Sequence, residues 1–437
     1  MDKKEYSHFF KDKKITLMGL GLLGRGINVA KFLAKNWAPL TITDLKTENE
    51  LKPSLKELKR FKNIKYVLGR HRLIDFRNRD IVIKAAGVPF DSPYIKEAEK
   101  NEIPVEMDAS LFAKISQAKI IGITGTRGKS TVTDIIYQIL KSTGRKVFLG
   151  GNVRGIATLP LLEKIKPGVW VVLELDSWQL HGFGDSKISP HIAVFTNFLP
   201  DHLNYYRNSM KRYFSDKANI FKYQTKKDYL IVSRQAEQEI KKRFKGEIKS
   251  RMLDAPDKKW LTKLIGRHNQ VNISLAAAAL TAAGIKESAI AKFVKNYAGL
   301  PGRMEFVGEF DGIKYYNDTN ATTPEAAIAA LQSFKRKVVL IAGGSDKNLD
   351  FGQMAEAIKK KTKALILVKG AGTERLIKHL KRHSFMLAED MNEAIKKARE
   401  FCRKGDTVLL SPGAASFGVF KNEYDRGEQF NYYVQKR

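Results

Sequence analysis

Gly122-Ile123-Thr124-Gly125-Thr126-Arg127-Gly128-Lys129-Ser130-Thr131 joins an apolar run to the start of a helix-forming segment. Few segments restrict a fold so tightly. A strand must deliver the loop, and glycines must let backbone N–H groups turn onto phosphate oxygens. A helix must then begin at once, so that its positive end faces the same anion. A strict P-loop has glycine at position 123, where Ile stands; Gly125 and Gly128 give a more compact form. Gly125, Thr126, Gly128, Lys129, Ser130 and Thr131 are therefore expected at nucleotide phosphates. Lys129 would reach the β- and γ-oxygens, and the Ser130 or Thr131 hydroxyl would hold Mg²⁺.

The surrounding pattern suits such a loop. Apolar runs alternate with helical segments from Lys14 to about Pro104, again from Ala118 onward, and a third time after Tyr297-Ala298-Gly299-Leu300-Pro301-Gly302. That rhythm predicts parallel α/β sheets in three domains: 1–104 and 301–437, both Rossmann-like, and a central P-loop ATPase-like domain, 105–300. A helix is expected to end at Gly284. In the first domain Gly19-Leu20-Gly21-Leu22-Leu23-Gly24 follows a strand, and Asp44 lies 20 residues beyond Gly24. This spacing fits a sugar diphosphate, whether NAD or a UDP-sugar, with the acid on ribose hydroxyls.

With 437 residues, 43% of them hydrophobic, the chain can build several cores. Its longest apolar stretches, such as Ile15 to Leu23, fall short of the roughly 20 residues of a membrane span. The charged N-terminus shows no signal-peptide core, so a cytoplasmic location is expected. A single cysteine, Cys402, fits a reducing compartment. Lys and Arg number 78 against 46 Asp and Glu, a net charge of +32. That favours anionic partners, although the cations are spread along the chain rather than gathered in a tail.

TGTRGKST, GGN, LELDSWQL, TNFLPDHL, GRHNQVN, GRMEF, NDTNATTP, GGSDKNLDF and SPGAASFGVFKNEYDRG follow one another in an order that resembles the Mur ligases, over nearly the whole length. In detail the resemblance is to the members that add D-glutamate. It implies ATP-driven joining of D-glutamate to UDP-N-acetylmuramoyl-L-alanine through an acyl-phosphate, in peptidoglycan precursor synthesis. It also implies two Mg²⁺ sites held by Ser130, Glu174, His202 and Lys217, the lysine being carbamylated. Lys129, His202, Lys217 and Arg303 would carry catalysis, and Asn269, Asn272, Arg303 and Asp318 would hold the nucleotide. Gly21, Leu22, Leu23, Asp44 and Gly87 would take the uridine side, and Asn152, Ser177 and Gln179 the muramoyl-alanine end. Thr322, Lys347, Ser416 and Phe417 would bind D-glutamate. Arg127 and Asn320 depart from residues that relatives often carry there.

Other readings of the same residues remain. Asn152, Ser177 and Gln179 serve equally well as turn or cap residues, and Asn269 and Asn272 as helix packing. An NAD-dependent oxidoreductase would use Gly19 to Asp44 but leave Lys129 and Glu174 without a task. A nucleic-acid-dependent ATPase would suit the charge, yet it calls for a stacking platform that the sequence does not show. A ligase adding L-glutamate has the same residue types. A monomer is expected, with neither a membrane nor a nucleic acid as partner.

Overall fold

The computed structural model describes residues 3–436 other than Leu23, Phe90, Asn204 and Lys347. Leu23 and Lys347, both expected at substrate sites, therefore lie outside the described residues. The chain forms two compact units, residues 1–257 with 272–290 and residues 258–271 with 291–437.

The first unit holds two parallel sheets. One comprises β1 (Ile15–Met18), β2 (Leu40–Asp44), β3 (Ile64–Leu68), β4 (Ile81–Lys84) and β5 (Val105–Glu106), in the order β3-β2-β1-β4-β5. The other comprises β6 (Lys119–Thr124), β7 (Val147–Gly151), β8 (Trp170–Glu174), β9 (Ile192–Phe195), β10 (Tyr229–Val232) and β11 (Arg251–Asp254), in the order β11-β10-β9-β6-β8-β7. Central strands such as β2 and β8 are buried at every residue. A parallel sheet covered by helices on both faces demands this, and it is why these strands read as continuous apolar runs. In each sheet the chain reverses its direction of travel beside one strand, β1 or β6. The loops leaving that strand and its neighbours open a crevice at the carboxyl ends.

The second unit holds β12 (Glu305–Phe310), β13 (Ile313–Asn317), β14 (Val338–Gly343), β15 (Thr362–Val368), β16 (Met386–Ala388) and β17 (Thr407–Leu410), ordered β12-β13-β17-β14-β15-β16. One core, including Leu340 and Leu409, fills one side of this sheet, and another, including Ile341 and Leu410, fills the other. The α/β class expected from the sequence is present in all three sheets. β12 is absent from the sequence reading. It pairs antiparallel with β13 across an Asp311-Gly312 turn in which both residues have positive φ, 54° and 75°, as a two-residue hairpin requires. A register shift between Phe306 and Gly308 breaks the alternation that would have marked the strand. The helix Arg267–Ala282 stops just before Gly284 (φ 83°), as expected. Among the described residues, no helix is long and apolar enough to cross a membrane.

Close packing at strand ends leaves some glycines no alternative. A Cβ on Gly151 would lie 2.1 Å from the Glu174 carbonyl oxygen, and its φ is +80°. Gly144 has a similar φ of +76° but open space around it. Gly151→Ala is expected to cost roughly 2–5 kcal/mol, and Gly144→Ala about 1 kcal/mol, the backbone share alone. Urea titration of the first unfolding transition checks the difference.

Candidate active site

The Gly125–Gly128 loop leaves β6 with Glu174 of β8 on one side and the segment after β9 on the other, because Ile123 pairs with Glu174 and Thr124 with Phe195. The second neighbour clamps it. Thr126 N–H donates to the Asn197 carbonyl (2.9 Å), Arg127 N–H to Asn197 Oδ1 (2.9 Å), and Thr196 Oγ1 to the Arg127 carbonyl (2.5 Å). Leu199 N–H donates to Thr126 Oγ1 at 2.9 Å. Gly125 cannot be replaced, since a Cβ there would lie 1.9 Å from Thr196 Oγ1. Gly128 caps the helix Lys129–Ser142 at φ 85° with no side-chain cap, so the helix presents its first N–H groups to the crevice. A Cβ on Gly128 would sit 2.4 Å from Asn272 Oδ1, which places Asn272 against the loop. Lys129 Nζ donates to the carbonyls of Gly125 (3.1 Å) and Thr126 (3.2 Å).

A second lysine comes to the same place. Lys217, on the helix Met210–Ala218, is 1% exposed, and its Nζ donates to the Gly125 carbonyl (2.9 Å) and Thr124 Oγ1 (3.3 Å) above the Tyr213 ring. Burial, reinforced by the Lys129 charge, holds its pKa well below that of an ordinary lysine. Glu174 is buried at the end of β8. His202 has φ +52°, and its ring centroid is 4.9 Å from that of Trp178. Burial lowers its pKa more than the neighbouring Asp201 raises it, so the imidazole keeps a lone pair. Burial also pushes Asp201 up, but Arg127 (3.5 Å) and His202 outweigh it and bring the carboxyl below its usual range. Among the described residues, no group of three or more His, Cys, Asp or Glu is arranged to hold a metal.

Ser177 and Gln179 open the helix Ser177–Asp185, where Asp176 Oδ1 accepts the Gln179 N–H (2.8 Å) and the Gln179 amide oxygen returns toward Asp176 N–H (3.4 Å). Gln179 is thus part of a capping box, while its Nε2, like the neighbouring Trp178 Nε1, is buried without a hydrogen-bond partner. Trp178 was not anticipated: nothing in its residue type marks it as the ring against His202. Asn197, the hinge of the clamp, was quoted only within its motif.

At the first sheet, Asp44 Oδ2 accepts the N–H groups of Leu20 (2.8 Å) and Gly21 (3.0 Å), and Oδ1 that of Lys46 (2.9 Å). The acid therefore shapes the glycine turn. Leu22 is exposed beside it, and Gly87 lies in the turn after β4, whose Ala85 N–H meets the Met18 carbonyl at 2.9 Å. Gly21, Leu22, Asp44 and Gly87 thus gather at one end of the sheet. Arg25 Nη2 reaches Asn152 Oδ1 (3.3 Å) and the Val153 carbonyl (3.4 Å), so the loop carrying Asn152 is tied to the helix that follows the glycine turn.

In the second unit, Asn269 Nδ2 donates to the Ile265 carbonyl (2.8 Å). Asp318 joins the Arg303 turn to the end of β17: Oδ1 accepts Met304 N–H (3.1 Å) and Oδ2 accepts Ser411 Oγ (3.0 Å). Burial pushes its carboxyl up to about 7 despite those bonds and the nearby Arg303. Asn320 Nδ2 holds the Gly302 carbonyl at 3.0 Å, which gives this residue a local task. Thr322 follows, and the Gly413 N–H bond to the Ala321 carbonyl (2.8 Å) ties its loop to the loop carrying Ser416 and Phe417. Ser416 Oγ is buried with no partner, and Phe417 is exposed. Arg426, unmarked in the sequence, is 1% exposed and binds the Thr319 carbonyl (2.8 Å) and the Ala414 carbonyl (3.2 Å), locking the two loops together.

Known proteins resemble this chain in sequence and in fold. The Mur ligase middle domain matches residues 123–255, and the Mur ligase, glutamate ligase domain matches residues 302–413. A protein of Roseiflexus sp. named UDP-N-acetylmuramoylalanine--D-glutamate ligase is 35% identical, over 97% of this chain and 98% of its own length. A ligase of the same name from Borreliella burgdorferi is also 35% identical, over 97% and 98%. Among solved structures, the MurF ligase of Thermotoga maritima in complex with ADP shares the fold with a TM-score of 0.61 at 18% identity, covering 99% of this chain and 97% of that one. The UDP-N-acetylmuramate-alanine ligase of the same organism does so with a TM-score of 0.60 at 19% identity, over 97% and 99%. The chain belongs to the Mur ligase family and, within it, groups with the D-glutamate-adding ligases.

Proposed function

We propose that the protein joins D-glutamate to UDP-N-acetylmuramoyl-L-alanine at the expense of ATP, in peptidoglycan precursor synthesis. A carboxylate oxygen of the alanyl acceptor attacks the γ-phosphorus and ADP leaves. The glutamate amine then attacks the acyl carbon and inorganic phosphate leaves. The observation that carries this reading is the buried Lys217 amine on the Gly125 carbonyl beneath a clamped phosphate loop. Neither a dehydrogenase nor a plain ATPase gives that lysine a task.

Each part follows from the local chemistry. The N-terminal N–H groups of the helix Lys129–Ser142 and the Lys129 ammonium hold the phosphates of ATP. Asn269, Asn272, Arg303 and Asp318 are each assigned to nucleotide binding. Gly21, Leu22, Asp44 and Gly87 take the uridine diphosphate, and Asn152, Ser177 and Gln179 the muramoyl-alanine end. The Trp178 indole N–H, buried beside His202, adds a donor there. Thr322, Ser416 and Phe417, on loops locked by Arg426, face D-glutamate. Residues 1–104 thus serve the nucleotide-sugar, 105–300 ATP, and 301–437 the amino acid and the exclusion of water from the acyl-phosphate.

The residues present fit Mg²⁺. Glu174 offers a hard oxygen, Ser130 a hydroxyl and His202 a neutral imidazole, and Lys217 supplies oxygen once its amine has added CO₂ as a carbamate. Bound there, Mg²⁺ would neutralise the charge between ATP and a carboxylate. The depressed Lys217 pKa favours the neutral amine, the form that adds CO₂.

Phosphate release is expected only when UDP-N-acetylmuramoyl-L-alanine, D-glutamate and Mg-ATP are all present, with a new amide in the product mass. Turnover with L-glutamate alone would identify a variant ligase. Hydrolysis stimulated by nucleic acid, without turnover on any amino acid, would remove the ligase reading. Lys217→Arg, which keeps a cation but forms no carbamate, should lower turnover by at least about 100-fold. ¹³C-bicarbonate should give a carbamate resonance in the parent protein that is missing from this variant and that fades as pH falls through the lowered lysine pKa. Asp318 gives a stability signature. Folded, it holds its proton up to about pH 7, whereas an unfolded aspartate releases it near pH 4. The folded state therefore binds the extra proton between these values, and stability falls as pH rises across that window. Thermal melts of Asp318→Asn should show a flatter slope there.

A further inference from the structure

Three turns meet at the end of the first sheet opposite its glycine loop. The turn 11–14 enters β1, the turn 36–39 enters β2, and the segment 59–63 enters β3. Asp12 N–H donates to the Trp37 carbonyl (3.4 Å), and Asn63 Nδ2 donates to the carbonyls of Ala34 (3.0 Å) and Ala38 (2.9 Å), so all three lie side by side. Trp37 stands among them, 71% exposed. Its φ is +61°. That conformation follows the helix cap at Asn36, where glycine is the residue without penalty. The chain therefore places its largest apolar side chain in water on a backbone that disfavours it, and neither the core nor the candidate active site gains from it.

The charges on these turns are of one kind in the main. Lys11, Lys13, Arg60 and Lys62 are on the two turns beside that of Trp37, and the acids with them are Asp12 and Asp80, whose Oδ2 accepts the Lys14 N–H at 2.7 Å. Lys13 lies over the Phe9 ring at 5.1 Å and Arg60 over Phe61 at 4.9 Å, while Lys35 is paired with Glu163 at 2.7 Å. Lysine is depleted at protein–protein interfaces, and a single indole is no platform for successive bases. An indole flanked by lysines does match a bilayer surface, where the ring sits at headgroup level and the cations meet anionic lipid. Peripheral binding needs two such signals together, a shallow apolar anchor and a basic patch.

We propose that this edge of the first sheet docks on an anionic lipid bilayer. The sequence reading expects no membrane partner because no segment can span one; peripheral docking requires no span. Trp37 precedes β2 and Asp44 ends it, and the strand itself runs about 13 Å, so the docked protein keeps its glycine turn facing away from the lipid.

The test uses the full-length protein with phosphatidylglycerol–phosphatidylcholine vesicles and with pure phosphatidylcholine vesicles, read by co-sedimentation and tryptophan emission. Of the four tryptophans, Trp170 and Trp260 are only 5% and 4% exposed, so a blue shift that Trp37→Ser abolishes belongs to Trp37. Binding is expected with the anionic vesicles only, and it should weaken with salt. Trp37→Ser should weaken it about tenfold and Lys11→Glu/Lys13→Glu/Lys62→Glu at least about 100-fold. Lys226→Glu/Lys227→Glu/Lys245→Glu, with the same change in net charge elsewhere on the unit, should bind like the parent. Lipid-free turnover of all variants should be unchanged. Equal loss in the second triple variant would overturn the proposal in favour of diffuse charge. Tighter binding to an RNA oligonucleotide through the same residues, or no anionic-lipid binding by the parent, would overturn it as well.

Discussion

Two lysine amines share one carbonyl oxygen. Lys129 and Lys217 both donate to Gly125, at 3.1 and 2.9 Å, and two full charges so close in a buried site repel each other strongly. The arrangement is stable because the two lysines differ in environment. Lys129 opens a helix at the mouth of the crevice, while Lys217 is sealed beneath the loop, where burial favours the neutral amine. One lysine is therefore suited to attract an anion and the other to keep a neutral amine.

The parallel sheets supply the precision. A one-residue slip of β6 against β8 or β9 would move the loop relative to Glu174 or to the Thr196-Asn197 clamp. Each clamp bond ties a loop atom to the segment leaving a neighbouring strand, so the loop is shaped before any ligand arrives. The second unit uses different means to the same end. Its loops leave adjacent strands β13 and β17, and the buried Arg426 and Asp318 fasten them with hydrogen bonds from charged or ionisable groups.

What could be read in the sequence is what leaves a local mark. Gly19, Gly21, Gly24, Gly125 and Gly128 all adopt positive φ, a conformation that disfavours other residues, and each stands where the pattern placed a tight turn. The apolar strands announced covered parallel sheets. Three-dimensional burial leaves no such mark. Lys217 is one of 78 basic residues, and only the resemblance singled it out. Arg426 looks like any arginine in an acidic helix start, yet it is among the largest fully buried side chains. Trp178 packs on His202 because the start of the helix Ser177–Asp185 meets the segment after β9, and β12 hides behind its own irregularity.

That irregularity bears on how the chain behaves in a crowded cell. The sheet of the second unit ends in β12 on one side and β16 on the other. β16 is only three residues long, too short to template a neighbour. β12 runs six residues and exposes Phe306, so a flat version would offer an open row of N–H and C=O groups to another copy. The bulge before Gly308 bends that row, and Glu305 and Glu309 add charge along it. The small break in register thus acts as a guard against edge-to-edge assembly, most needed while newly made chains are concentrated and only partly folded.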